Sequence, residues 1–80
     1  MSISKPRVFE GYLYVYPYAG DDVFVHPERV DIRSFEELSR IHRETWEGKG
    51  ISLLDVLCRL ESRRVRVVIE DRRISVEVLE

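Results

Sequence analysis

The alternation of apolar and polar side chains divides the N-terminal part of the chain into two predicted strands. Residues 8–18 are rich in β-branched and aromatic side chains with a period of two, and residues 23–26 return as a short second strand of similar composition. A two-residue period of this kind is typical of β-strands. Gly20-Asp21 has the composition of a two-residue turn, because glycine readily takes positive φ. The pattern therefore predicts an N-terminal β-hairpin.

The middle of the chain changes to a helical period. Ser34 and Glu37 have the spacing of a capping box, which marks the start of a helix. The glycines of Gly48-Lys49-Gly50 are predicted to end it. A second helix over residues 53–62 is apolar on most sides, and we expect it to be largely buried. The predicted inner face of the first helix consists of residues three or four positions apart: Phe35, Leu38, Ile41, His42, Thr45 and Trp46.

The last sixteen residues predict a second hairpin with a defined register. A turn at Asp71-Arg72 aligns three apolar pairs on one face: Val65 with Val78, Val67 with Val76, and Ile69 with Ile74. The same alignment places two opposite-charge pairs on the other face: Arg66 with Glu77, and Glu70 with Arg73. Because apolar and charged pairs agree on one alignment, the pattern predicts this register.

These segments together predict an α+β fold in the order ββααββ, with a mostly antiparallel sheet carrying two helices on one face. With 80 residues the chain is long enough for one domain. We expect residues 1–6 to be a flexible lead-in and residues 7–80 to form a single α+β domain. The start lacks the apolar stretch of a signal peptide, and no apolar run reaches the ~18 residues of a membrane span. A cytoplasmic location without membrane contact is therefore predicted.

The composition indicates a hot habitat. The chain has no Asn and no Gln, and its basic residues are 11 Arg and 2 Lys. Heat-resistant proteins are depleted in the thermolabile amides, which predicts a thermophilic source, cellular or viral; a GC-rich genome is the competing explanation. The formal net charge is −2, and a single cysteine, Cys58, permits no internal disulfide. One unpaired cysteine also suits a reducing compartment.

The first strand has large side chains on both faces. One face carries four tyrosines: Tyr12, Tyr14, Tyr16 and Tyr18. Leu13 and Val15 lie on the other face, and helices on one side of the sheet can cover only one of the two. We expect Leu13 and Val15 to meet the helices and the tyrosines to be exposed. Such rings suit an interface with another protein, including a second copy of the chain, or stacking with unpaired bases; ordinary packing is the third alternative.

A cluster of arginines supports the nucleic-acid alternative. It lies at the end of the second predicted helix and in the last hairpin: Arg63, Arg64, Arg66, Arg72 and Arg73. These side chains would contact phosphates of single-stranded nucleic acid or RNA. The competing interpretation, which we favour, pairs Arg66 and Arg73 with glutamates across the hairpin. A reading of double-stranded DNA is not predicted, because the second helix has too few polar side chains to contact base edges.

No motif of catalysis or cofactor binding is present. Asp21, Asp22 and His26 resemble part of a metal site, but aspartates are common in turns and no fourth ligand has the usual spacing. His42 is predicted to be structural, and Cys58 lies among apolar residues. No phosphate loop or nucleophile elbow occurs. We therefore predict no enzyme activity, no cofactor and no metal. The expected function is a small interaction module that self-associates or binds a protein through the tyrosine strand.

Overall fold

A computed structural model describes residues 8–18 and 21–80, and the predicted lead-in of residues 1–6 lies outside them. The α+β class and the ββααββ order are confirmed. Strands β1 (Tyr12–Tyr16), β2 (Asp22–His26) and β3 (Ile51–Ser52) form one antiparallel sheet in the order β1-β2-β3. Strands β4 (Val65–Glu70) and β5 (Arg73–Val78) form a second antiparallel sheet. The strands of the described part of the chain are thus divided between two sheets.

Helix α1 (Phe35–Glu44) begins where its sequence predicts. The Ser34 hydroxyl accepts a hydrogen bond of 3.3 Å from the Glu37 N–H, which satisfies an amide of the first turn. A π-helical turn (Thr45–Lys49) follows α1. It contains Gly48, whose φ of 102° lies in the left-handed region that glycine tolerates. The predicted stop at the glycines is confirmed.

The predicted inner face of the first helix is right in its middle and wrong at its two ends. Leu38, Ile41 and Thr45 are buried, whereas Phe35 and Trp46 are exposed. Phe35 lies in the first turn, and Trp46 follows α1 in the π-helical turn. A π-helical turn has more residues than an α-helical one, so a period of 3.6 residues no longer indicates which side chain points inwards.

The short strand β3 was missed by the pattern, and Gly50 explains how it fits. A Cβ atom at Gly50 would lie 2.5 Å from the carbonyl oxygen of Val25 and 2.6 Å from Oγ1 of Thr45. Only a residue without a side chain allows the backbone to approach β2 this closely. The two residues of β3 are too few to show a periodic pattern.

Helix α2 (Leu53–Cys58) is shorter and more open than predicted. The expectation that residues 53–62 would be largely buried is wrong: every residue of α2 is exposed or half-buried, and Leu54 and Leu57 are exposed. The helix packs against β2. Beyond it the chain passes through turns, and Ser62 has a φ of 68°, which is incompatible with continued right-handed helix.

The core of the described residues lies between α1 and the β1–β2 hairpin. Its buried apolar members are Tyr14, Phe24, Leu38 and Ile41, with Tyr16 and Val30 packed against them. The predicted orientation of the first strand is therefore wrong. Tyr14 points towards α1, whereas Leu13 and Val15 are 62% and 61% exposed. This orientation depends on polar contacts as well as on apolar packing, because the Tyr14 hydroxyl forms hydrogen bonds with the backbone of Glu28 and Val30.

The C-terminal hairpin has the predicted register, and every residue of β4 and β5 is exposed. The described chain measures 43 × 27 × 25 Å, and its radius of gyration is 14.4 Å. A compact domain of this length would have a radius of about 12 Å. We attribute this elongation to a hairpin that projects from the remainder of the molecule. Among the described residues no helix has the length and hydrophobicity that crossing a bilayer requires.

Candidate interaction surface

Two of the four predicted interface tyrosines belong to the core. The Tyr14 hydroxyl donates to the carbonyl oxygen of Glu28 at 2.9 Å and accepts from the Val30 N–H at 3.0 Å. The Tyr16 ring stacks on His42 with 4.1 Å between centroids and an interplanar angle of 11°. The ring of Tyr14 is thus closed to a partner, and one face of the Tyr16 ring is already covered.

Tyr12 and Tyr18 remain exposed, at 47% and 41%. The Tyr18 ring packs edge-on against Phe35 with 4.7 Å between centroids. The guanidinium carbon of Arg29 lies 6.0 Å from the centroid of the Tyr12 ring. Because two core rings separate Tyr12 from Tyr18, the structure does not bring four rings together as one open stripe. Interface use of the tyrosines stays a prediction for these two positions.

The candidate arginines are distributed over the length of the last hairpin. Arg63 donates from Nε to the carbonyl oxygen of Glu80 at 2.8 Å, next to the hairpin base. Arg66 lies 3.6 Å from a carboxylate oxygen of Glu77, as the register predicts. Arg72 is at the tip, about 20 Å from the base at the usual rise of a strand. Acidic side chains lie between these arginines along the hairpin, so the arginines do not form a continuous basic surface. Nucleic-acid binding stays a prediction.

The hairpin also exposes its apolar side. We use the name hairpin face for the six β-branched side chains on that side: Val65, Val67, Ile69, Ile74, Val76 and Val78. Their exposed fractions run from 37% for Val65 to 75% for Ile69. The opposite side of the hairpin carries mostly charged residues in cross-strand pairs. A contiguous exposed apolar patch with a polar surround is typical of an interaction site.

A buried polar cluster links the sheet to both helices but does not form a nucleophilic site. Oδ1 of the buried Asp22 accepts from the Ser52 hydroxyl at 2.6 Å and from the Val23 N–H at 2.8 Å. Its Oδ2 lies 3.1 Å from Nε2 of His42. The carboxylate stands between the serine and the histidine, whereas activating a serine requires the imidazole on the hydroxyl. The cluster therefore anchors elements, and Ser52 also caps α2 through the Asp55 N–H.

A second cluster brings His26, Glu28 and Glu44 within ligand distance of one another. Nδ1 of His26 accepts from the Glu28 N–H at 3.0 Å, so in the neutral ring Nε2 carries the proton donated to Glu44, also at 3.0 Å. Arg40 donates to Glu28 at 2.9 and 3.0 Å and to Glu44 at 3.2 Å. Its guanidinium already supplies the cation that these carboxylates need, and we assign no metal to them.

The same arginine sets the ionisation of both glutamates. Hydrogen bonding from Arg40 holds the pKa of Glu28 below its usual value, against a smaller opposing effect of desolvation. Desolvation acts to raise the pKa of Glu44, but the hydrogen bonds from Arg40 and His26, together with the charges of Lys49 and Arg40, lower that pKa overall. The carboxylates in turn raise the pKa of Arg40 above its usual value. This cluster is an ion-pair network between β2, the following loop and α1.

The other chemical candidates do not converge. Asp22 hydrogen-bonds to His42, while His26 hydrogen-bonds to Glu44, so these two residues, weighed above as part of a metal site, belong to different clusters. The Cys58 thiol is exposed rather than embedded among apolar residues. Comparisons with protein-family models, with curated proteins and with solved structures find no match for this chain. We therefore infer the function from the surfaces described above.

The hairpin face is the candidate surface that the sequence analysis did not single out. The pattern predicted which residues share the face but assumed that helices would cover it. A signal was present: the polar segment Glu61-Ser62-Arg63-Arg64 separates the apolar helix from the hairpin. Such a segment does not continue a core, and the two strands that follow it pack mainly against each other.

Proposed function

We propose that this protein is a small interaction module that self-associates by packing the hairpin face of one copy against that of another. The observation that carries the proposal is the exposure of all six β-branched side chains of this face. An isolated two-stranded hairpin is at best marginally stable in water, and a hydrophobic face needs a covering layer. A second copy supplies such a layer.

The energetics favour coverage. Burying a half-exposed valine or isoleucine contributes about 1 kcal/mol, at roughly 25 cal/mol per Å² of apolar surface. The face offers six such side chains per copy, while only four apolar residues of the described chain are buried in the core. Packing two identical faces about a two-fold axis is the commonest arrangement of soluble oligomers. The covered area then forms a second apolar core, shared by the two copies and separate from the core between α1 and the β1–β2 hairpin.

The proposal retains the expected function and changes the expected surface. The sequence predicted association through the tyrosine strand, but Tyr14 is buried in its own molecule and Tyr16 is partly covered. The exposed apolar side chains of the hairpin face all lie on one side of one sheet, whereas those of the tyrosine strand are divided between its two faces, and the hairpin face has no aromatic ring. Stacking with unpaired bases requires such rings, so the nucleic-acid alternative receives no support from this surface.

The experiment compares two lysine substitutions at neighbouring positions of β5. Ile74→Lys adds a charge to the hairpin face, and Ser75→Lys adds the same charge to the opposite side. Both positions are exposed, so neither substitution disturbs the core. We expect Ile74→Lys to lower the mass measured by analytical ultracentrifugation, while Ser75→Lys retains the wild-type mass. A wild-type chain that sediments at 9.5 kDa at all concentrations would contradict the proposal.

A second variant separates loss of association from loss of the hairpin itself. Val76→Thr preserves side-chain shape and the β-branched character of the position, but replaces a methyl group by a hydroxyl. We expect it to weaken association less than Ile74→Lys does, with unchanged far-ultraviolet circular dichroism per residue. Equal masses for wild type and both face variants would show that the face is not the contact.

A further inference from the structure

The outer edges of the C-terminal hairpin have no partner strand among the described residues. The Leu79 N–H donates to the Arg64 carbonyl at 2.8 Å, and inward hydrogen bonding alternates along an antiparallel pair. Residues 64, 66, 68 and 70 therefore direct their backbone groups towards β5. The N–H and C=O groups of Val65, Val67 and Ile69 point outwards instead. The edge of β4 is thus a row of unpaired donors and acceptors, which favours addition of another strand.

The side chains of β4 are complementary to a second copy of β4. When two β4 strands are placed antiparallel about a two-fold axis at Val68, Arg66 of each copy faces Glu70 of the other. Val67 then faces Ile69, in a pair whose backbone groups point outwards on both strands. Moving the axis to Val67 would leave Arg66 opposite Val68 and would pair Glu70 with Arg64, which precedes the first residue of β4. The outward hydrogen bonds are compatible with both axes, and the axis at Val68 is favoured because both of its Arg–Glu pairs lie within β4.

We propose that a second copy of this chain pairs with β4 edge to edge, antiparallel, with the two-fold axis at Val68. The inference rests on the proposed self-association and adds the second contact that it uses. The result is a four-stranded sheet in the order β5-β4-β4-β5, above the three strands that a stable sheet needs. All side chains of the two hairpin faces lie on the same side of this sheet.

Val68 favours the β4 edge over the β5 edge. It is the one apolar side chain on the charged side of the hairpin, and it is 40% exposed. At the two-fold axis it meets its own copy, which removes it from water. The corresponding axis on β5 passes through Ser75, which gains no apolar contact. The antiparallel arrangement also places the two hairpin bases at opposite ends of the sheet, so the remaining parts of the molecules do not compete for space.

Edge pairing on β4 and face packing together give an assembly of four copies. Two four-stranded sheets that stack through their hairpin faces contain four copies related by three perpendicular two-fold axes. The expected mass for four copies of the 9.5 kDa chain is about 38 kDa. When one contact is lost, the other still holds two copies together. The mass of that dimer therefore reports on the contact that remains.

Disulfide trapping tests which edge is used. In a Cys58→Ser background, Val68→Cys places two thiols at a pair without mutual hydrogen bonds, where Cα atoms are about 4.5 Å apart and a disulfide fits. Ser75→Cys is the matched control on β5. We expect the first variant to form a covalent dimer under mild oxidation at least tenfold faster than the second. A faster reaction of Ser75→Cys, or equal rates in both, would overturn the assignment of the β4 edge.

Charge exchange tests the register while preserving the pairs within each hairpin. The double variant Arg66→Glu with Glu77→Arg retains one attractive pair inside the hairpin but places acidic side chains opposite each other between copies. Glu70→Arg with Arg73→Glu does the same with basic side chains. We expect each double variant alone to weaken edge pairing by about tenfold or more.

An equimolar mixture of the two double variants should restore edge pairing. The acidic side chain introduced at position 66 of one variant then faces the basic side chain introduced at position 70 of the other. At the second pair of the same contact, Arg66 and Glu70 retain their original charges, so both pairs are attractive again. A mixture that associates as weakly as either double variant alone would overturn this register.

The outcomes distinguish this inference from the proposed function. One result would overturn edge pairing and leave face packing intact: a mass of about 19 kDa for the wild type and both charge variants, with 9.5 kDa for Ile74→Lys. Restoration in the mixture supports the edge contact. A wild-type chain that stays at 9.5 kDa would overturn both contacts, and cross-linking of Val68→Cys would then be absent as well.

Discussion

Tyr14 orients the N-terminal strand through its hydroxyl as much as through its ring. The residue is 5% exposed, and its ring packs on Phe24 with 5.6 Å between centroids. The hydroxyl bridges the backbone of Glu28 and Val30, so both groups of that loop are satisfied inside the core. A phenylalanine at this position would fill the same space but leave the N–H of the half-buried Val30 without this acceptor.

Tyr14→Phe should therefore reduce the free energy of unfolding by about 1–3 kcal/mol, because it removes two hydrogen bonds that each contribute about 0.5–1.5 kcal/mol. The matched control is Tyr12→Phe on the same face of β1, where the ring is exposed. We expect the control to change stability by less than about 0.5 kcal/mol. Urea unfolding followed by circular dichroism measures both variants. Equal midpoints for the two would contradict the bridging role of the Tyr14 hydroxyl.

The period of the strand predicted which side chains share a face, but it did not determine which face is inside. Leu13 and Val15 are apolar throughout, and on transfer energy alone they are the better core residues. Tyr14 lies inside because its hydroxyl is paired within the core, and this depends on a loop whose conformation has no pattern in the sequence. The two-residue period alone therefore could not predict which face of the strand is buried.

At the scale of elements, short polar links decide how α2 attaches to the sheet. Its cap, Ser52, accepts from the Asp55 N–H at 3.1 Å and donates to the buried Asp22. The cap of α1, Ser34, makes only the first kind of contact, with Glu37. Ser34 is thus a helix cap alone, whereas Ser52 is a helix cap that also donates a hydrogen bond to a buried carboxylate.

Ser52→Ala should destabilise the protein by about 2–3 kcal/mol, because it removes a helix cap and a donor to buried Asp22. Ser34→Ala removes a cap alone, and we expect a loss of about 1 kcal/mol. Ser52→Thr keeps the hydroxyl and should recover part of the stability. Chemical unfolding of the three variants measures the order, and a larger loss for Ser34→Ala would contradict the role of the Asp22 contact.

The ion-pair network between β2 and α1 should make stability fall in acid. Its hydrogen bonds hold the pKa values of Glu28 and Glu44 below the ordinary 4.5. A lowered carboxylate pKa adds stability above the unfolded value, and this stability is lost as pH falls through the folded value. Arg40→Met removes the shared donor, so the variant should lose less stability than wild type between about pH 6 and about pH 3.

The control for this network is Arg33→Met, which removes an exposed ion pair with Asp31. An exposed pair of this kind contributes little, so its pH profile should follow that of wild type. Thermal unfolding recorded across the pH range gives the slopes. A profile for Arg40→Met that runs parallel to wild type throughout the acid range would show that the network does not govern acid stability.

At the scale of the whole molecule, the described part of the chain has a small core and a large apolar surface. Four of its apolar residues are buried, whereas the hairpin face and the exposed side of α2 are open. The order of elements and the register of the last hairpin were predictable, because each depends on neighbouring residues. The division into two sheets was not, since it depends on whether distant segments meet.

If association supplies the missing burial, thermal stability must depend on protein concentration. Binding that involves only folded chains stabilises them by mass action, so the wild-type Tm should rise by several degrees for each tenfold increase in concentration. Ile74→Lys should unfold at a lower Tm that changes much less with concentration. Differential scanning calorimetry measures both, and a concentration-independent wild-type Tm would contradict the dependence of stability on assembly.

The second edge of the C-terminal hairpin has a consequence for solubility. With β4 occupied, β5 still offers the outward N–H groups of Ile74, Val76 and Val78 at both ends of a four-stranded sheet. In an antiparallel pair of β5 strands, Arg73 of one copy would face Glu77 of the other, as Arg66 faces Glu70 at the β4 edge. The same kind of pairing can therefore continue from sheet to sheet and give open-ended filaments. Proline introduced as Val76→Pro would block that growth without removing a hydrogen bond within the hairpin.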